Sequence, residues 1–135
     1  DEDKLKEKIK ELQLGNEVLL CGRITDRELM KKIYARADLF LFPSLYDASS
    51  LVQVEAASQH TPTIFIEGAA TTATVTNNVN GIIAKNSIDD YANQIEKMIT
   101  DSEFYNKIAD GAFRDLYKNW DDTVKEMYEI YLKMI

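Results

Sequence analysis

The chain has one cysteine, one histidine and two prolines among its 135 residues. A single thiol, Cys21, excludes an internal disulfide and a thiolate metal cluster, and it suits a reducing compartment. Long apolar runs are missing too. None approaches the ~20 residues that a membrane helix needs. Positive charge is scarce, with 16 Lys+Arg against 23 Asp+Glu and a net charge of -7. That balance argues against a module that grips a phosphate backbone, such as a DNA-binding domain. Repeats, low-complexity tracts and linker-like stretches are also absent. What remains is an ordinary globular composition, 45% hydrophobic and 29% charged, which excludes a wholly disordered chain. The length fits one domain able to bury roughly two thirds of its unfolded surface. The chain opens on Asp1-Glu2-Asp3-Lys4-Leu5-Lys6. With neither a basic leader nor an apolar core, this is not a signal peptide; it reads as the middle of a longer chain.

The pattern predicts alternating helices and strands. Leu5, Ile9 and Leu12 share one face of a short amphipathic helix that Gly15 should stop. Val18-Leu19-Leu20-Cys21 reads as a buried strand, with Cys21 as packing. Asp26 can cap a helix whose stripe is Leu29, Met30, Ile33, Tyr34 and Ala37. A second buried strand, 39–42, is halted by Pro43-Ser44. Residues 51–58 form a helix apolar on nearly all sides. Thr63 to Ile66 is a third strand, with Pro62 at its start. A small-residue stretch, 68–78, holds a loop and one short helix. Asn80-Gly81 turns the chain into the strand 82–84. Three helices close the sequence, started by Ser87 or Asp89, by Asp101 or Ser102, and by Asp121 or Asp122. Their apolar faces, and Trp120 before the last, are expected to pack onto the body. Strands alternating with helices at this spacing mean βαβ units, so the fold class is α/β with a Rossmann-like parallel sheet, flanking helices and extra C-terminal helices. Ligands of such sheets sit beyond the carboxyl ends of the strands. The loops to inspect are 22–26, 43–50 and 67–76.

Between Leu39 and Ala84 there is no Lys or Arg, and the only acids are Asp47, Glu55 and Glu67. Burying an unpaired carboxylate is costly, so each needs an account. Asp47 lies in the loop after the second strand, and Glu55 lies on the helix eight residues later. The backbone N–H groups of Ser50, Leu51 and Val52 at that helix start make an anion site that needs no basic side chain. A phosphate there, flanked by two carboxylates, points to a nucleotide sugar, with one acid on the ribose and the other on the sugar or the loop. A plainer account is equally compatible with the pattern: Asp47 as an N-cap, and Glu55 bonded to backbone.

The ordered set of motifs resembles a family. It comprises Cys21-Gly22-Arg23-Ile24-Thr25-Asp26, then residues 37–47 with Phe42-Pro43-Ser44 and Asp47. It continues with Leu51-Val52-Gln53-Val54-Glu55-Ala56-Ala57-Ser58, then Thr61-Pro62-Thr63-Ile64, then Asn80-Gly81. Together these are similar to the C-terminal half of retaining GT-B glycosyltransferases of the GT4 type (glycosyl transferases group 1), from about Glu17 to Tyr131. The resemblance implies that residues 1–135 are a single nucleotide-sugar (donor) binding domain, a fragment of a longer two-domain protein. The acceptor would bind the missing N-terminal domain. Carried over by position, Glu55 would hold the ribose hydroxyls. Asp47, the candidate catalytic residue, stands where members usually place a Glu against the donor sugar. Backbone around Ser49, Ser50, Leu51 and Val52 would meet the diphosphate or sugar. Gly22 and Arg23 would border the base. No cofactor and no metal is implied; the substrate would be a nucleoside diphosphate sugar, a UDP-sugar first of all. The implied setting is bacterial polysaccharide biosynthesis. The location is cytoplasmic, with membrane association, at the inner face, only through the full-length protein.

Some positions depart from the family pattern. Asp47 is one methylene shorter than Glu, roughly 1.5 Å in reach. Ala48-Ser49-Ser50 replaces a Gly-aromatic-Gly stretch, and Ala69-Ala70 replaces a Gly pair whose freedom lets backbone approach a ligand. The alternative reading is therefore a non-catalytic GT-B-like accessory subunit of glycoprotein modification or export; a stand-alone interaction domain is a third. Arg23 serves equally as a solvated loop residue. Glu67 reads as a loop cap, and His60 as a surface residue at a helix end.

Overall fold

The computed structural model describes residues 2–47 and 51–134, which divide into two compact units, Asp1–Met30 and Lys31–Ile135.

The first unit opens with helix α1, Glu2–Glu11. It carries the exposed ion pairs Lys6–Glu2 at 2.8 Å and Lys8–Glu11 at 2.9 Å. The helix stops before Gly15, the stop expected from sequence. Gln13 adopts φ 57°, Leu14 N–H donates to Ile9 O, and Gln13 N–H donates to Lys10 O. That pair of bonds is a Schellman closure built on a left-handed glutamine. The expected strand Val18–Cys21 does not form. The segment is irregular, Leu19 is 84% exposed, and Cys21 is exposed rather than packed. An apolar run becomes a strand only by pairing, and no described ladder includes these residues. Asp26 caps helix α2, Arg27–Arg36, as expected: its Oδ1 accepts from the N–H groups of Glu28 and Leu29 at 2.9 and 3.0 Å.

The second unit is built on three parallel strands in the order β1-β2-β3, namely Phe40–Phe42, Thr63–Ile66 and Ile82–Ala84. Phe40 aligns with Thr63, and Ile64 with Ile82. Central β2 is buried at every residue, as a strand covered on both faces must be. Helix α3, Leu51–Ala57, connects β1 to β2, and a short 3₁₀ turn, Ala70–Thr74, lies between β2 and β3. Helices α4, Ile88–Thr100, and α5, Ser102–Asp115, follow β3, and α5 packs on α3 through Ala57, Ala112 and Leu116. Ser87 and Asp101 cap them by accepting from Asp90 N–H and Phe104 N–H, in line with the sequence. Ile64, Ile82, Ala84, Met98 and Ile108 form the main core.

Two glycines mark tight packing. A Cβ on Gly81 would lie 3.0 Å from Val75 and 3.1 Å from Phe65. A Cβ on Gly111 would overlap the Val79 carbonyl oxygen and come within 2.9 Å of its carbon. Helix α5 thus lies directly on the Val79–Asn80 backbone, which only glycine permits.

The last helix, α6, corrects two expectations. It spans Trp120–Leu132 and is capped by Asn119, whose side chain accepts from Asp122 N–H at 2.8 Å, not by Asp121 or Asp122. It has no buried residue, and Trp120 is 80% exposed. Val124, Met127, Tyr128 and Tyr131 share the exposed state. The helical period was read correctly; a period says which residues share a face, not what covers it.

Candidate functional site

Asp47, Leu51, Val52 and Glu55 all lie on the connection that leaves the carboxyl end of β1. Asp47 is exposed, on the segment that follows Pro43. Leu51 and Val52 are the first described residues of α3. Glu55 is half-buried one turn further, and it engages a partner of its own. Its carbonyl accepts from Ser58 Oγ at 2.7 Å. Ser49 and Ser50 lie outside the described residues. Gly22, with φ 61°, and Arg23, exposed, belong to the first unit.

The carboxyl end of β2 leads into the second connection. Glu67 is exposed, and its N–H donates to Ala84 O at 2.8 Å. Gly68 follows at φ 86°. Ala69, where a glycine was expected by resemblance, is buried at φ -74°, a conformation open to any residue. The 3₁₀ turn then carries Thr71, whose Oγ1 is buried with no partner. Leaving a hydroxyl in that state costs about 1–3 kcal/mol.

Gln53 was missed from sequence. It is only 6% exposed, and its Nε2 donates to Thr74 Oγ1 at 3.4 Å. The bond joins α3 to the 3₁₀ turn, and so joins the connections leaving β1 and β2. The available signal was an amide two residues before Glu55 in a helix whose other residues are apolar, because a buried amide requires a partner.

A cavity of about 440 Å³ opens beside the same strand ends on the α4 side, lined by Pro43, Ile66, Asn86, Ser87, Tyr91 and Ile95 among others. Tyr91 fixes its floor: the hydroxyl donates to Ile64 O at 2.7 Å. Burial pushes that hydroxyl up from its ordinary 10.0 to about 12, while a backbone hydrogen bond from Phe42 acts in the opposite sense. Among the described residues, no group of three or more His, Cys, Asp or Glu is placed to hold a metal ion, and no helix is long and apolar enough to cross a membrane.

An open parallel sheet with its polar loops gathered on the crossovers defines a Rossmann-like α/β domain. The family described as glycosyl transferases group 1 matches residues 1–115, and the chain belongs to that family. An uncharacterized glycosyltransferase of Methanocaldococcus jannaschii is 26% identical over 132 residues, 96% of this chain and 34% of that protein. The chain therefore spans about a third of the length of that relative. Two solved structures share the fold. One is the C-terminal domain of a glycosyl transferase group 1 family protein from Francisella tularensis, with a TM-score of 0.74 and 22% identity. It covers 84% of this chain and 58% of that one. The other is Anabaena HepE in complex with UDP-glucose, with a TM-score of 0.80 and 22% identity. It covers 98% of this chain and 36% of that one. The Rossmann-like C-terminal domain of a GT-B glycosyltransferase, expected from sequence, is the fold found.

Proposed function

We propose that this chain is the donor-binding half of a retaining, metal-independent glycosyltransferase that moves a sugar from a UDP-sugar to a glycan, lipid or protein acceptor. The observation that carries the reading is Glu55. It sits half-buried on α3, on the connection that leaves the carboxyl end of β1, the end at which an open parallel sheet presents its ligand loops. Glu55 accepts from the ribose hydroxyls. The N–H groups of Leu51 and Val52, with Ser49 and Ser50 before them, meet the diphosphate or sugar. They stabilise the negative charge that grows on the leaving group. Asp47, which is exposed, contacts the donor sugar, and Gly22 with Arg23 border the base. The acceptor binds a further N-terminal domain, so residues 1–135 alone bind donor weakly and turn over nothing. The whole protein acts in the cytoplasm. The solved complex of Anabaena HepE with UDP-glucose supports the choice of UDP over other bases.

Calorimetric titration with UDP, GDP and ADP, repeated on Glu55→Ala, tests this reading. Saturable binding of UDP that is lost in the variant is the expected result. A folded sample that binds none of the three, even within the longer protein, would favour the accessory-subunit reading. Among the described residues, Ala69 stands on that side: its methyl group occupies a buried position in the connection after β2.

A further inference from the structure

From the Gln53–Thr74 bond we infer that Gln53 is a positioning residue for the donor: it sets the spacing between the two connections that a ligand at the strand ends must touch together. The inference rests on the donor-binding reading and deepens it. Gln53 lies one residue beyond Val52 and two before Glu55, on the same seven-residue helix. Its side chain turns inward, 6% exposed, and meets Thr74 Oγ1 at 3.4 Å. Thr74 ends the 3₁₀ turn that follows the carboxyl end of β2. β1 and β2 are adjacent and parallel, so this one bond bridges the mouths of two neighbouring crossovers.

The fold does not require an amide there. Its neighbours Ala56 and Ala57 are buried apolar residues, and an apolar pair of matching shape would hold the same seam at little cost in stability. A second polar group, the buried and unpartnered hydroxyl of Thr71, sits in the same turn. Gln53 is buried but Thr74 is exposed, so the bond fixes the spacing of the two connections while adding little stability. With the bond made, α3 and the turn move as one body, and the donor meets loops already at their working separation. With it removed, binding has to order the two loops, and affinity falls by that cost.

The test uses the full-length protein that contains this chain, with UDP and UDP-glucose as probes. The paired variant Gln53→Leu with Thr74→Val removes both polar partners and keeps the volume. Thr74→Ser keeps the acceptor hydroxyl. The expected result is a loss of about tenfold in affinity for both probes in the paired variant, with a melting midpoint within a few degrees of wild type. Thr74→Ser should bind within about twofold of wild type. Wild-type affinity in the paired variant overturns the inference. So does a loss of affinity accompanied by a comparable loss of stability, which marks a purely structural bond. If Glu55→Ala abolishes binding while the paired variant retains it, only this inference fails. If wild type binds neither probe, the donor-binding reading fails and this inference with it.

Discussion

Gly111 packs directly against the Val79 carbonyl, with no room between helix and loop for a methyl group. The contact seats α5 on the loop that delivers the chain into β3, and Asn80 in that loop is itself buried, accepting from Thr76 N–H at 2.7 Å.

Gly111→Ala should therefore destabilise the domain despite alanine's better helix propensity. The propensity gain is about 1 kcal/mol. It is set against overpacking onto a backbone that cannot swing away, which costs up to about 3 kcal/mol. A net loss of about 2 kcal/mol in urea unfolding is expected. A variant as stable as wild type would show that α5 can slide away from the loop.

Tyr91 predicts an alkaline limb to stability. Its folded pKa is raised from 10.0 to about 12, mainly by burial, so folding favours the neutral phenol. The stability this provides is present below pH 10 and is lost as pH rises toward 12. Tyr91→Phe should flatten part of that fall. It should also cost about 1 kcal/mol at neutral pH through the lost bond to the Ile64 carbonyl. Equal alkaline slopes in the two proteins would rule out Tyr91 as the titrating group.

His60 closes α3 in a left-handed conformation, φ 58°, while its ring stacks on Phe113 with centroids 4.0 Å apart and planes 11° apart. The stack and the backbone cost oppose each other. His60→Gly loses the stack but relieves a strain of roughly 1 kcal/mol; His60→Ala loses the stack and keeps the strain. The order of melting midpoints should be His above Gly above Ala. Ala above Gly would contradict the left-handed closure.

Asn119→Ala should remove the cap of α6 and cost about 1 kcal/mol of local helix stability. Because α6 buries no residue, the loss should show as faster amide exchange confined to that helix. Global melting should hardly move.

The sheet was legible from short apolar runs bounded by Pro43, Pro62 and Asn80-Gly81, because buried parallel strands are continuous apolar stretches with turn residues at each end. The caps at Asp26, Ser87 and Asp101 were legible because a short oxygen-bearing side chain at a helix start has one natural use. Val18–Cys21 was misread for the opposite reason. Its composition suits a strand, but pairing is a property of the partner, and no sequence window contains the partner. Closure of α1 by Gln13 and of α3 by His60 was also hidden, since glycine is the usual signal for a left-handed closure and neither residue is glycine. At the candidate site, Asp47 and Glu55 stood out as the scarce acids of a stretch without Lys or Arg. Gln53 was not, since periodicity marks apolar faces and passes over an amide turned inward.

The strictly sequential parallel order of β1, β2 and β3 leaves this sheet without a single hairpin. No rung can form until a crossover has closed, residues 43–62 for the first and 67–81 for the second, a slower route to the native topology than local pairing. The first crossover is α3 with its flanking loops, and the second contains the 3₁₀ turn. The segments assigned to ligand recognition are thus also the ones whose closure limits how fast the chain folds. Substitutions there should appear in refolding kinetics as well as in binding.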